Sequence, residues 1–157
     1  MTQLPSKIKL AVVVGKFNSE ITEKMLDRAL IHADKLGASV RYVCKVPGAY
    51  DMPLTIQSLL EKDDVDAVVT LGAIVKGETK HDEVIAYTLS SKMSDLSLQY
   101  KKPVTLGVAG PGVTWELAEA RVVDYAERSV SAAIDSVRQQ RRLKEETNVS
   151  SHPLVVE

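Results

Sequence analysis

The densest run of chemically capable residues in this chain is Gly77-Glu78-Thr79-Lys80-His81-Asp82. A glycine just before a helix start leaves backbone amides free, with the positive end of the helix dipole behind them, and that arrangement holds phosphate. Thr79, with Asp82 three residues on, has the spacing of a capping box, so Thr79 is expected to cap the helix. His81 then falls in the first turn, where the dipole favours a neutral ring able to accept a proton. On residue types alone the same pattern also fits a plain capped helix with a surface histidine.

Three further segments carry glycine and follow an apolar run: Gly15-Lys16-Phe17-Asn18, Val46-Pro47-Gly48-Ala49-Tyr50, and residues 107–113. Aromatic residues make up only 4% of the chain, so Phe17 and Tyr50 on two of these segments ask for a reason. Glycine there lets backbone amides approach a ligand closely.

The elements that must position these segments follow from periodicity. Residues 8–14, 39–44, 66–71 and 103–108 are short apolar, β-branched runs and are expected as strands. Between them, residues 19–36 repeat apolar positions every four residues (Ile21, Met25, Ala29, Ala33), with Asn18 or Ser19 as cap. Pro47-Gly48 turns the chain into a helix that starts near Asp51-Met52-Pro53 and runs to about residue 62. Residues 79–100 and 114–142 complete the helices, the last in one or two pieces. Alternating strands and helices predict a single-domain three-layer α/β/α fold of the flavodoxin-like kind, with a four-stranded parallel sheet covered on both faces. Ligands of such sheets bind beyond the carboxyl ends of the strands, where all four glycine-bearing segments lie.

The 157 residues are 45% hydrophobic and 26% charged with a formal net charge of -1, as expected of one globular domain without a bulk pull toward nucleic acid or anionic membrane. Residues 1–7 read as an amino-terminal arm, 8–142 as the domain, and 143–157 as a polar tail. The single Cys44 allows no intrachain disulfide and reads as a small buried hydrophobe. His32 and His152 lack metal-ligand spacing, so no metal site is expected. Glu61, Asp63, Asp64 and Asp66, and likewise Lys101-Lys102, read as solvated turns. Neither Gly-x-x-x-x-Gly-Lys-Ser/Thr nor Gly-x-Gly-x-x-Gly occurs, which leaves nucleotide sites without direct support. The opening residues lack the apolar stretch of a secretory signal, and no run is long enough to span a bilayer, so a cytoplasmic location is expected.

Phe17-Asn18 after the first strand, residues 46–53 after the second and 71–81 after the third resemble 6,7-dimethyl-8-ribityllumazine synthases. Residues 103–108 and Glu119-Ala120-Arg121 extend the resemblance, which covers roughly residues 8–140 in order. The wording around Asp51-Met52-Pro53 and Gly110-Pro111-Gly112 is similar to the archaeal branch of that family.

The resemblance implies an enzyme that condenses 5-amino-6-(D-ribitylamino)uracil with 3,4-dihydroxy-2-butanone 4-phosphate, without cofactor or metal. It implies that Phe17, next to Asn18, stacks on the uracil ring, that Gly48, Ala49, Tyr50 and Asp51 bind the ribityl hydroxyls, and that Ala73, Ile74 and Val75 border the pyrimidine. Gly77, Glu78 and Thr79 would bind the phosphate, helped by Arg121, and His81 would be the acid–base residue. Leu106 stands where relatives often supply a phenylalanine from a neighbouring subunit, and Arg128 where they often have a lysine. Relatives form pentamers with sites between adjacent subunits, and some assemble twelve pentamers into an icosahedral shell. This chain departs from many relatives at Tyr50-Asp51, where Phe-Glu is frequent, and its helix after Gly112 runs one residue out of step.

Rival readings share the fold. A paralogous archaeal riboflavin synthase is similar too, but Phe17-Asn18, Gly77-Glu78-Thr79 and His81 match it less well. A non-catalytic flavin-binding or receiver-like module would want acidic residues where the first strand ends in Val14-Gly15-Lys16. A shell protein that has lost activity would have no need of His81 and Arg121.

Overall fold

In the computed structural model, which describes residues 6–157, the central strand β1 (Lys9–Gly15) is buried at every position after Lys9. It lies between β2 (Ser39–Val46) and β3 (Ala67–Val75), and β4 (Val104–Val113) follows β3, giving one parallel sheet in the order β2-β1-β3-β4. The expected flavodoxin-like α/β/α architecture is therefore present. Side chains alternate across the sheet. Leu10, Val12, Val14, Val69 and Leu71 pack under α1 (Ser19–Lys35) and α5 (Val122–Glu145), while Ala11, Val13, Val68 and Ile74 pack under α2 (Met52–Leu60) and α3 (His81–Tyr100). Burial on both faces is why the strands read as continuous apolar runs.

The four-residue repeat of α1 does what it predicts: Ile21, Met25, Ala29 and Ala33 form its buried stripe. Asn18 is its N-cap residue, but in the left-handed region (φ 59°) and without a side-chain capping bond, so the cap is positional only. A 3-10 turn, Ala49–Asp51, leads into α2, with Pro53 in the first turn as expected. The carboxylate of Asp51 accepts the Gly48 N–H at 3.0 Å and holds that turn.

All four strands outrun their expected ends, and two of these extensions shape the site. β3 continues to Val75 and β4 to Val113, so the glycine-bearing residues 72–75 and 109–113 are strand rather than loop. They pair with each other (Gly72 with Val108, Ala73 with Ala109, Val75 with Val113) through a register shift between Ala73 and Val75. The Lys76 N–H donates to the Val113 carbonyl at 2.8 Å and closes the extension. Two glycines permit it. A Cβ on Gly107 would overlap the Thr70 carbonyl and lie 2.7 Å from the Ser129 Oγ. Gly110 has φ +112°, and a Cβ there would meet the Ile74 carbonyl at 2.5 Å.

The last helical stretch forms two pieces, α4 (Trp115–Ala120) and α5, broken at Arg121. Thr114 caps α4 by accepting the Leu117 N–H at 3.2 Å. α5 runs to Glu145, past the expected end of the domain, and Gln139 Nε2 on it donates to the Val156 carbonyl at 3.2 Å, which folds the tail back along the helix. Of the amino-terminal arm, residues 1–5 lie outside the described residues, and the Ser6 carbonyl accepts from Arg141. The charged turns at the amino edge of the sheet are more than solvated. Asp66 accepts the Lys9 N–H at 2.8 Å, and Lys102 Nζ donates to the Leu60 and Lys62 carbonyls at the end of α2.

Candidate active site

A cleft of about 510 Å³ opens above the carboxyl ends of β1, β2 and β3. Two backbone bonds, from Lys16 N–H to Val46 and from Phe17 N–H to Pro47, tie the loop after β1 to the loop after β2. Phe17 is left 74% exposed on the rim, with Tyr50 61% exposed across the same opening. Phe17 thus lines the cleft with a flat apolar face, a shape that suits a planar ligand. Beneath the floor lies the buried side chain of Met52; a Cβ on Gly15 or Gly72 would stand 3.6 or 3.3 Å from its Cε.

The cleft brings together Phe17, Gly48, Ala49, Tyr50, Asp51, Ala73, Ile74, Val75, Gly77, Thr79 and His81. The cleft is mostly apolar, with a few convergent polar groups at one end. At that end α3 begins at His81, two residues later than the expected Thr79. The capping box does not form as expected: Thr79 Oγ1 accepts only the His81 N–H, at 3.3 Å, and Lys80 occupies the N-cap position. Gly77, Thr79 and the first-turn residues His81 and Asp82 still line the cleft, at the end of α3 where the helix dipole is positive.

Other expected site residues lie elsewhere. Asn18 does not line the cleft; its Nδ2 donates to the Ala73 carbonyl at 2.8 Å and fixes the first loop to β3. Glu78 is exposed and outside the lining. Arg121 is exposed at the α4–α5 junction. Leu106 and Arg128 line a separate depression of about 240 Å³ beside β4, with Thr105, Tyr125, Ser129 and Ala132. There Arg128 pairs with Asp124 at 3.4 Å. Among the described residues that line the main cleft there is no lysine or arginine.

Five lining residues were not foreseen as site residues: Gly15 and Pro47, on the first two glycine-bearing segments, and Ile85, Gly72 and Asp82. Ile85 is one helical turn on from His81, so the i, i+4 rule places it on the same face. Gly72 belongs to the extended part of β3. Asp82 carries the least legible role: its side chain is buried, and its Oδ2 accepts the Gly112 N–H at 2.9 Å.

Perturbed titrating groups lie at the opposite end of the sheet. The hydrogen bond from the Tyr42 hydroxyl to Asp64 (2.8 Å to Oδ2) holds that carboxyl below its ordinary value, with Arg41 and Lys62 adding attraction. Desolvation, reinforced by a hydrogen bond to Glu61, raises the Tyr100 hydroxyl. Among the described residues no cluster of His, Cys, Asp or Glu could hold a metal ion, and no helix is long and apolar enough to cross a membrane.

Residues 7–141 match the family model described as 6,7-dimethyl-8-ribityllumazine synthase. Relatives bearing that description include proteins of Sulfolobus acidocaldarius, 51% identical over 92% of this chain and 95% of the relative, and of Metallosphaera sedula, 53% identical over 89% and 93%. The Saccharolobus solfataricus protein is 54% identical over 88% of this chain and 90% of its own.

Proposed function

The chain belongs to the 6,7-dimethyl-8-ribityllumazine synthase family, and from that membership we propose how its residues divide the work of the family's reaction. The enzyme condenses 5-amino-6-(D-ribitylamino)uracil with 3,4-dihydroxy-2-butanone 4-phosphate to give 6,7-dimethyl-8-ribityllumazine, phosphate and water, in riboflavin biosynthesis. The amine must attack a ketone and lose one water to form an imine, phosphate must leave that imine, and the second nitrogen must close the ring with loss of a second water. Holding the two reactants in register is worth up to about 7–11 kcal/mol, so positioning carries much of the rate.

In our assignment Phe17 stacks on the uracil ring. The backbone from Gly48 to Tyr50 and the Asp51 carboxylate meet the ribityl hydroxyls, and Ala73, Ile74 and Val75 border the pyrimidine. The Gly77–Thr79 segment receives the phosphate, and His81 moves protons during imine formation and ring closure. The observation that carries this reading is the cleft itself, where the exposed Phe17 ring, the apolar wall of β3 and the His81 helix start converge around one space.

A cation beside the amides would strengthen the hold on a phosphate-bearing substrate, and none lines this cleft among the described residues. We assign that cation to Arg121 of an adjacent copy, with Leu106 and Arg128 forming the far wall from the same neighbour. Arg121 is exposed, and Leu106, 51% exposed, sits with Arg128 in an open depression beside edge strand β4. A heterologous contact repeated around a ring is how such a half-site is completed, and the assembly we propose is a pentamer. Asn18 keeps its tie to Ala73 and acts by fixing the loop that carries Phe17.

The test mixes purified protein with both substrates in EDTA and follows lumazine absorbance and phosphate release. Product is expected. If none forms, the lumazine itself is supplied: riboflavin would then identify the paralogous dismutation, and silence a binding or shell role.

A further inference from the structure

The segment from Lys76 to Asp82 is fastened at both ends to neighbouring residues of β4. At its start the Lys76 N–H donates to the Val113 carbonyl at 2.8 Å; at its end the Asp82 Oδ2 accepts the Gly112 N–H at 2.9 Å. Between these bonds lie Gly77 and Thr79 of the phosphate approach, and His81. We propose that Asp82 is a positioning residue of the reaction: by closing this loop onto Gly112 it sets where His81 and the Gly77–Thr79 amides stand relative to the cleft. The proposal rests on the assignment of His81 as the proton-transfer group.

Several features support it. Asp82 is 7% exposed, and aspartate is rarely buried that deeply without a specific partner. It stands in the first turn of α3, and its one long-range hydrogen bond runs to a backbone amide thirty residues away in sequence. Gly112 has φ +76° and nothing within 4 Å of a would-be Cβ, so the backbone there adopts a glycine conformation that turns its N–H toward Asp82 rather than to relieve crowding. The local capping bonds that commonly fix a helix start are weak here: Lys80 makes no side-chain cap bond, and Thr79 accepts only at 3.3 Å. A loop fixed by its ends rather than by its own caps transmits the loss of either fastening to whatever it carries. Misplacement of a reacting group by about 1 Å can cost ~10²-fold in rate.

The test compares Asp82→Ala and Asp82→Asn with His81→Ala and the Asp82→Ala/His81→Ala double variant. Asp82→Ala is expected to lower kcat about 10- to 100-fold, and Asp82→Asn, which keeps an acceptor oxygen, to recover most of that loss. The double variant is expected to be no slower than His81→Ala, because residues acting as a unit are non-additive. Amide exchange at Gly112 should quicken in Asp82→Ala and stay slow in Asp82→Asn, a readout independent of turnover. Additive losses, or native exchange at Gly112 in Asp82→Ala with native kcat, would overturn the proposal. If His81→Ala alone leaves kcat unchanged, the prior assignment fails instead. A melting temperature measured for every variant separates lost positioning from lost folding, and a kcat loss in Asp82→Ala that simply tracks unfolded protein would overturn the positioning role.

Discussion

Replacing Phe17 by alanine should weaken substrate binding while leaving the fold almost untouched, and the structure sets both magnitudes. The ring is 74% exposed in the free chain, so folding buries little of it, and its removal should change stability by no more than about 0.5 kcal/mol. For a domain of this size that is a melting shift of about 1–2 °C. If the ring stacks on a flat heterocycle, its loss removes about 1–3 kcal/mol of binding. That corresponds to an approximately 5- to 150-fold rise in KM for the ribitylamino-uracil. Stacking made equally in ground and transition states leaves kcat little changed. The assay is steady-state kinetics on lumazine absorbance with the uracil varied and the butanone phosphate saturating, beside calorimetric binding of the uracil substrate alone. An unchanged KM, or a melting drop well beyond a few degrees, would refute the reasoning, since the first denies the stack and the second makes Phe17 a structural residue.

Other perturbations probe the division of labour and the frame. His81→Ala should reduce kcat by about 10²–10⁴-fold with little change in KM for the phosphate substrate, whereas Arg121→Ala should chiefly raise that KM; identical behaviour of the two would contradict their separate roles. Gly107→Ala, whose Cβ would overlap the Thr70 carbonyl, should cost about 1–3 kcal/mol or more in a denaturant melt, and a neutral result would show that β4 and α5 can separate freely there. Tyr42→Phe removes the hydrogen bond that holds Asp64 low, so the carboxyl should move up toward 3.8 in an NMR titration. Because the folded group is the depressed one, the stability that the bond contributes is complete above the unfolded carboxyl value and disappears as pH falls through the folded one. The wild type and Tyr42→Phe should therefore converge in stability at the acid end and differ near neutrality, and a gap that widened on acidification would contradict the cause given.

Much of the fold was legible because the sheet is covered on both faces. Continuous apolar runs and the four-residue repeat of Ile21, Met25, Ala29 and Ala33 leave few other arrangements. The ends of β3 and β4 were not legible, because Gly72 and Gly110-Pro111-Gly112 look like turn residues until their partners across the ladder are known. Phe17, Tyr50, Thr79 and His81 stood out as chemically capable residues on loops at one sheet edge, and the cleft gathers them. Asp82 did not, since an acidic residue in a first turn ordinarily serves the helix dipole and nothing local reveals Gly112 as its partner. Arg121, Leu106 and Arg128 had to come from family resemblance, because within one chain none of them reaches the cleft.

The claim that the site is shared between copies is tested most directly by co-expressing His81→Ala and Arg121→Ala chains and assaying the mixed assembly at low butanone phosphate. In a ring where one copy offers His81 and its neighbour Arg121, random mixing makes about a quarter of the interfaces fully native. Activity should then recover toward about a quarter of wild type, well above either variant alone. A mixture no more active than the average of its two components would contradict the shared site and place Arg121 in the same copy as the histidine it serves, or outside the reaction altogether.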